Sequence, residues 1–215
     1  MRTANWMTKE PISVLPTTSL SKCQKLLKMH NIRRLPVVDE ENHVIGILSD
    51  RDVKSASPSQ ISSLEVHEMN YLLSEVKAKD IMTRNPTTVK SEDSIADVAR
   101  LMLDQKVGGF PVVDDDSRLI GVITDQDIFK VFVDICGAHI KGIDITIECS
   151  DEPGTLAFLL EIIVKYNGRI ISVLTSFLPS GDRHIFLRLH PMAKDKAEAL
   201  HAELAEKTKL LAWTE

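Results

Sequence analysis

Short apolar runs separated by polar turns dominate the first two-thirds of the chain. Residues 35–38 and 44–48 are almost entirely apolar, and the acidic segment 39–42 lies between them. Apolar residues recur at every third or fourth position across residues 20–27, directly after Ser19, a residue type that caps helices. The pattern therefore predicts a helix followed by two short strands, and such continuous apolar strands are usually buried on both faces.

The same pattern returns 75 residues later without a gap, so that Met7 corresponds to Met82 and Asp52 to Asp127. Both copies contain Met-Thr-x-x-Pro, Pro-Val-Val-Asp and Gly-h-h-Ser/Thr-x-x-Asp, where h is a hydrophobic residue. A tandem repeat predicts two units of one fold that bury a core together. Between the copies, residues 64–76 carry apolar side chains at helical spacing and predict a bridging helix.

The last third of the chain has a different pattern. Residues 143–149 alternate between apolar and polar, which predicts a half-buried strand. Turns, helical patterns and a hairpin then predict the order β-α-β-β-α-β of a ferredoxin-like domain. The expected fold class is α/β (α+β): two repeats packed as a pseudo-two-fold pair, then the ferredoxin-like domain. The expected segments are 1–75 (repeat one with the bridging helix), 76–136 (repeat two), 137–142 (linker) and 143–215 (third domain).

Composition narrows the class of protein. The chain is 43% hydrophobic and 27% charged with a net charge of −5, as in an ordinary globular protein. The net negative charge argues against nucleic-acid binding, and no apolar run approaches the length of a membrane span. Three cysteines lack metal-ligand spacing, which favours reduced thiols in a cytoplasmic protein. Catalytic, zinc and phosphate-loop motifs are absent, so we expect no catalytic residue, no metal and no enzyme activity.

The end of each repeated stretch carries candidate binding chemistry. Ser49 and Thr124 stand where a strand passes into a helix, and backbone N–H groups at a helix start attract phosphate. Asp52 and Asp127 follow three residues later, and a carboxylate accepts hydrogen bonds from the hydroxyls of a ribose. The combination favours a nucleoside phosphate. The alternative interpretation is helix capping, because both residue types also stabilise a first helical turn without any ligand.

These motifs resemble known families. Residues 7–54 and 82–129 resemble two CBS domains, a pair known as a Bateman module. Residues 143–213 resemble an ACT domain, with Asp-Glu-Pro-Gly-Thr-Leu as the turn from its first strand into its first helix. The architecture as a whole is similar to the acetoin-utilisation AcuB-like family.

The resemblance to CBS pairs implies a regulatory ligand (AMP, ADP, ATP or S-adenosylmethionine) in the clefts between the repeats, with no cofactor required. It implies that the base packs on Ile12, Val14 and Leu35 in repeat one, and on Thr87, Val89 and Phe110 in repeat two. Arg33, Arg34 and Arg51 are expected to reach phosphates, and Gly108 and Gly109 to allow a close approach of the ligand. The alternatives are that Arg33 and Arg34 only solvate an edge and that Gly108 and Gly109 only end a helix. The full set of expected nucleotide-binding residues is Ile12, Val14, Arg34, Leu35, Pro36, Ser49, Arg51, Asp52, Thr87, Val89, Gly109, Phe110, Pro111, Thr124 and Asp127.

The resemblance to ACT domains implies an amino-acid effector near Asp151, Gly154 and Arg169. Arg169 stands where this family often has asparagine, and the turn at Gly154 has an ordinary structural explanation as well. An exposed sheet edge in this domain predicts a homodimer. We expect a regulatory sensor that acts on another protein through a change in inter-repeat angle and dimer geometry. A ligand-free scaffold and an amino-acid-responsive regulator are the alternatives.

Overall fold

A computed structural model describes residues 1–56 and 75–215, which form two compact units, Met1–Phe129 and Lys130–Glu215. The predicted bridging helix lies outside the described residues except for its last two positions. Among the helices of the described ranges, none is long and apolar enough to cross a membrane.

The first unit consists of two copies of a helix followed by a β-hairpin and a further helix, as the repeated pattern predicts. Each copy also has a two-residue strand near its start, and the second copy has a further one, β5. The elements of copy one are β1 (Thr8–Lys9), α1 (Leu20–Met29), β2 (Arg34–Val38), β3 (Val44–Ser49) and α2 (Asp50–Ala56). Those of copy two are α3 (Ala78–Ile81), β4 (Thr83–Arg84), β5 (Val89–Lys90), α4 (Ile95–Gln105), β6 (Gly109–Val113), β7 (Leu119–Thr124) and α5 (Asp125–Cys136), whose residues from Lys130 onward belong to the second unit.

The core of the first unit follows the apolar pattern of the sequence. Strand β6 is buried along its whole length and β2 is buried after its first residue, as expected for continuous apolar strands. Ser19 caps α1, since its Oγ accepts a hydrogen bond from the Lys22 N–H at 3.4 Å. Ser94 does the same for α4.

The N-terminal segments of the two copies are exchanged. Strand β1 of copy one pairs with β7 of copy two, and β4 of copy two pairs with β3 of copy one. A Cβ added to Gly121 would lie 2.6 Å from the sulfur of Met7, and one added to Gly46 would collide with the sulfur of Met82. Each Met-Thr pair therefore completes the sheet of the other copy, and each glycine leaves room for the incoming methionine.

A pseudo-two-fold axis relates the copies. His43 forms a β-bridge with Arg118, its own equivalent at the offset of 75. On either side, the Val44 N–H donates to the Ser117 carbonyl at 3.3 Å and the Leu119 N–H to the Asn42 carbonyl at 2.9 Å. The second bond is the image of the first under the same offset, so the axis passes between His43 and Arg118.

The second unit contains a four-stranded antiparallel sheet in the order β11-β8-β10-β9. The predicted element order β-α-β-β-α-β is confirmed. Alternate residues of β8, such as Ile145 and Ile147, share one buried core with Leu159 and Leu200, which belong to the two helices that pack on the sheet. The elements are β8 (Ile143–Cys149), α6 (Thr155–Lys165), β9 (Ile170–Phe177), β10 (Arg183–Leu189), α7 (Lys194–Lys207) and β11 (Lys209–Thr214).

Candidate ligand-binding site

A cavity of about 830 Å³ opens in the first unit where residues of both copies meet. One wall comes from the end of β3 and the start of α2, together with the residues that begin β2. The opposite wall comes from the segment after β4 and from the residues between α4 and β6. The lining residues are Arg33, Arg34, Ile47, Ser49, Asp50, Arg51, Asp52, Thr83, Asn85, Pro86, Thr87, Gln105, Lys106, Val107, Gly108, Gly109, Phe110, Pro111 and Asp125.

Ser49 and Asp52 cap the start of α2 and face the cavity at the same time. Asp52 Oδ2 accepts hydrogen bonds from the Ser49 hydroxyl at 2.6 Å and from the Ser49 N–H at 2.7 Å. The Asp52 N–H donates to Ser49 Oγ at 3.2 Å, which closes the cap. The other carboxylate oxygen, Oδ1, has no hydrogen-bond partner among the described residues and remains available as an acceptor.

Thr124 and Asp127 form the same cap in copy two. Asp127 Oδ2 accepts from the Thr124 hydroxyl at 2.7 Å and from its N–H at 3.0 Å. Asp127 is only 5% exposed, and neither residue lines the cavity. Helix capping therefore applies in both copies, and at the described cavity only the cap of copy one contributes to the lining.

Arg34 lies against the paired glycines of the other copy. A Cβ on Gly108 would collide with Arg34 Nη2 and lie 2.8 Å from Asp125 Oδ2, and a Cβ on Gly109 would lie 3.3 Å from Arg34 Nε. The close approach that the glycines permit is thus made by a side chain of the protein itself. Burial lowers the pKa of the Arg34 guanidinium, and Asp125 opposes this shift. Arginine still remains charged.

The charges that line the cavity are mostly cationic once internal pairs are considered. Arg33, Arg34, Arg51 and Lys106 contribute four positive charges. The carboxylates of Asp50, Asp52 and Asp125 also line the cavity, and Asp50 forms an ion pair at 2.6 Å with Lys54, which lies outside the lining residues. Such an arrangement attracts an anionic ligand.

The structure brings eight of the fifteen expected nucleotide-binding residues to this cavity. They are Arg34, Ser49, Arg51, Asp52, Thr87, Gly109, Phe110 and Pro111. Ile12, Val14, Leu35, Pro36, Val89, Thr124 and Asp127 lie elsewhere. Val14 and Leu35 belong to the buried core of copy one, because strand β2 is covered on both faces. The base-packing set implied for copy one is therefore not at this cavity.

Several lining residues were not expected from the sequence, including Ile47, Asn85, Pro86 and Val107. The expectations grouped residues copy by copy, whereas the cavity joins the end of β3 in copy one to the segments before β5 and β6 in copy two. The offset of 75 was the available signal. It shows which positions are equivalent but does not show which positions meet.

The expected effector residues of the second unit do not come together within one chain. Gly154 has a φ of 94° and precedes α6, as a tight turn requires, and Asp151 forms an ion pair with Arg183. Arg169 instead precedes β9, whose start pairs with the end of β10. The length of a strand therefore separates Arg169 from Asp151 and Gly154.

A cluster of possible metal ligands lies near the pseudo-two-fold axis. Asp39, Glu41 and His43 each place one ligand atom within 4.8 Å of the others. His43 Nδ1 already lies 3.1 Å from Asp39 Oδ2. The equivalent turn of copy two has Arg118 in place of His43, and it pairs with Asp116 at 3.3 Å. His43 and Arg118 therefore each have an ion-pair partner within their own turn, so the cluster has a structural explanation without a metal.

Comparison with known sequences identifies the repeats. The profile of the CBS domain family matches residues 4–59 and 78–134, which is more than half of the chain. A CBS domain-containing protein of Dictyostelium discoideum is 33% identical over 129 residues, covering 60% of this chain and 89% of its own length. The L-aspartate semialdehyde sulfurtransferase of Methanocaldococcus jannaschii is 32% identical over 126 residues, 59% of this chain but only 22% of that protein.

Solved structures show the same fold with adenosine ligands. The CBS domain pair of protein MJ0100, in complex with methylthioadenosine and S-adenosyl-L-methionine, is 30% identical with a TM-score of 0.52, covering 61% of this chain and 95% of that one. CBSX2 in complex with AMP is 28% identical with a TM-score of 0.51, covering 61% and 96%. A Vibrio cholerae protein assigned to acetoin utilization (AcuB) is 27% identical with a TM-score of 0.53, covering 65% and 95%. The chain belongs to the CBS domain family and carries a tandem pair of these domains.

Proposed function

We propose that this chain is a regulatory sensor that binds an adenosine-containing ligand in the cavity between its CBS domains. The observation that carries the proposal is the cavity itself, which combines an available carboxylate oxygen, four cations and apolar side chains. Its volume of about 830 Å³ lies in the range of small-molecule sites. The relatives solved with AMP and with S-adenosylmethionine support this ligand class.

The lining residues divide by chemistry in a way that suits a nucleoside. Asp52 Oδ1 accepts a ribose hydroxyl, while its Oδ2 stays in the helix cap. Ile47, Phe110 and Pro111 offer an apolar surface for the base. Arg34 and Arg51 supply donors for an anionic group. Because the Ser49 hydroxyl and the Asp52 carboxylate are held in the cap of α2, we expect the site to bind its ligand without a reaction of its own.

Ligand binding acts through the two walls of the cavity. The walls belong to different repeats, so a ligand that contacts both stabilises one relative angle of the repeats over others. The second unit, which we assign to the ACT family, mediates a homodimer through β9, an edge strand of its sheet. A regulated partner protein reads the resulting dimer geometry.

The test is isothermal titration calorimetry of the full chain with adenosine, AMP, ADP, ATP and S-adenosylmethionine. We expect saturable binding of at least one of them, and we expect Asp52→Asn to weaken it. Asp127→Asn removes the equivalent cap of copy two, so a comparison of the two variants separates the loss of a ligand contact from the loss of a cap. A folded protein that binds none of the five ligands would overturn the proposal and leave a scaffold.

A further inference from the structure

The space on the pseudo-two-fold axis is occupied by one arginine rather than two. Arg34 begins strand β2, and its equivalent at the offset of 75 is Gly109, which begins β6. The Arg34 guanidinium lies against Gly108 and Gly109, where a Cβ would collide with it. The cationic side chain that reaches across the axis therefore comes from copy one alone.

Two further cations of the cavity also have uncharged residues at the equivalent positions of the other copy. Arg51 corresponds to Gln126, and Lys106 corresponds to Asn31. Neither Arg51 nor Lys106 has an ion-pair partner among the described residues, and both line the cavity. The equivalent positions on the other side of the axis carry no charge. The pair therefore concentrates its unpaired positive charge on one side.

We infer that this cavity selects a phosphorylated adenosine nucleotide, that its affinity rises with the number of phosphates, and that each chain binds one such molecule. The inference rests on the proposed function and specifies its ligand. Guanidinium and ammonium groups form charge-assisted hydrogen bonds with phosphate oxygens. S-adenosylmethionine offers them one carboxylate, and they repel its sulfonium and ammonium groups. A second nucleotide on the far side of the axis would meet Gln126 and Asn31 in place of two cations.

The structure supplies variants that test the charges without disturbing the backbone. Arg51→Gln and Lys106→Asn each install the residue found at the equivalent position of the other copy. Lys106 has a φ of 55° and Asn31 a φ of 51°, so asparagine adopts the required left-handed conformation. Lys25→Gln, on the exposed side of α1, removes one positive charge outside the cavity and serves as the matched control.

Calorimetry of the full chain and these variants is carried out with adenosine, AMP, ADP, ATP and S-adenosylmethionine at low and physiological salt. We expect ATP to bind more tightly than AMP, at one molecule per chain. Arg51→Gln and Lys106→Asn should each weaken ATP binding by roughly tenfold while adenosine binding changes little. Lys25→Gln should leave both affinities unchanged.

Four results would overturn the inference while the proposed function stands. Three concern the unsubstituted chain: equal affinities for adenosine and ATP, tighter binding of S-adenosylmethionine than of ATP, and two equivalent ATP molecules per chain. The fourth is an equal loss of adenosine and ATP affinity in the charge variants. If no adenosine compound binds, the proposed function itself is wrong. The two failures are therefore distinguishable in one set of titrations.

Discussion

At the scale of single residues, the contact of Arg34 with Gly108 and Gly109 explains why copy two has glycines where copy one has arginines. From the sequence, Gly108 and Gly109 have two explanations, the close approach of a ligand or the end of a helix. The structure shows that a side chain from the other copy approaches them. No local pattern encodes this contact, because it depends on where the axis between the copies lies.

The two glycines differ in what an added methyl group would meet, and alanine substitutions should separate them. At Gly109 the methyl would lie 2.7 Å from the backbone carbonyl oxygen of Ile123, which cannot move alone. We expect Gly109→Ala to lower the free energy of unfolding by about 1–3 kcal/mol. At Gly108 it would meet only side-chain ends of Arg34 and Asp125, so Gly108→Ala should cost less than about 1 kcal/mol. Urea denaturation measures both, and a larger cost at Gly108 would contradict this assignment.

At the scale of elements, the exchanged segments mean that the sheet of each copy is completed by a strand from the other copy. Strands β1 and β4 are two residues long and exposed, so they carry no hydrophobic period that a sequence analysis detects. The longer strands β2, β3, β6 and β7 were predictable because their apolar runs are continuous. The Met-Thr motif is visible in the sequence of both copies, but its partner strand is not, because register across copies is set by packing.

Truncation of Met7 should disturb copy two rather than the copy to which it belongs in sequence. Met7 fills the space above Gly121 in β7. We expect Met7→Ala to lower stability by about 1–3 kcal/mol, less than a fully buried methionine would cost. Native-state hydrogen exchange should show faster exchange in β7 (Leu119–Thr124) than in β3. Faster exchange confined to β3 would contradict the exchange of segments.

The Glu203 carboxylate on α7 joins the two helices of the second unit through hydrogen bonds. Glu203 accepts hydrogen bonds from Lys165 at 2.6 Å, from the Tyr166 hydroxyl at 2.6 Å and from Lys207 at 2.7 Å. Chiefly through Lys165, and then through Lys207 and Tyr166, these contacts lower the pKa of Glu203 to about 2. The same contacts raise the pKa of Lys165 and of Tyr166.

The low pKa of Glu203 predicts how stability depends on pH. A carboxyl group with a depressed folded-state pKa stabilises the fold above its ordinary pKa, and this contribution disappears as pH falls toward about 2. We expect Glu203→Gln to lower the melting temperature at pH 7 and the difference from the unsubstituted chain to shrink below about pH 4.5. Glu198→Gln is the control on the same helix, because its pair with Lys194 is exposed and 3.9 Å long. A difference that stays constant with pH would contradict this role.

At the scale of the whole molecule, the repeat and the order of elements were predictable, whereas the composition of the cavity was only partly so. The offset of 75 and the continuous apolar strands were sufficient for the two CBS domains, and the alternating strand pattern with its turns was sufficient for the β-α-β-β-α-β unit. The cavity joins residues such as Ser49 and Phe110 from different copies. Asp52 lines it and its equivalent Asp127 does not, a difference that the repeated motif does not encode.

The proposed homodimer gives a prediction for the whole molecule. Strand β9 is an edge of its sheet, and Ser176 on it is exposed. Lysine on an edge strand opposes pairing with another chain, so Ser176→Lys should shift the full chain from dimer to monomer in light scattering after size-exclusion chromatography. Ala202→Lys, on the exposed side of α7, adds the same charge away from the edge and should leave a dimer. An unsubstituted chain that elutes as a monomer would contradict the proposal.

The exchanged segments also constrain the order of events during synthesis of the chain on the ribosome. Strand β1 is translated well before the strand that receives it, β7, which is complete only when Leu119–Thr124 have been made. The sheet of copy one likewise gains its third strand only after Thr83 and Arg84 have been translated. The N-terminal domain of a nascent chain usually folds first. Here the segment β1 of the first CBS domain has no partner strand until most of the second has been made, so we expect the two domains to complete folding together.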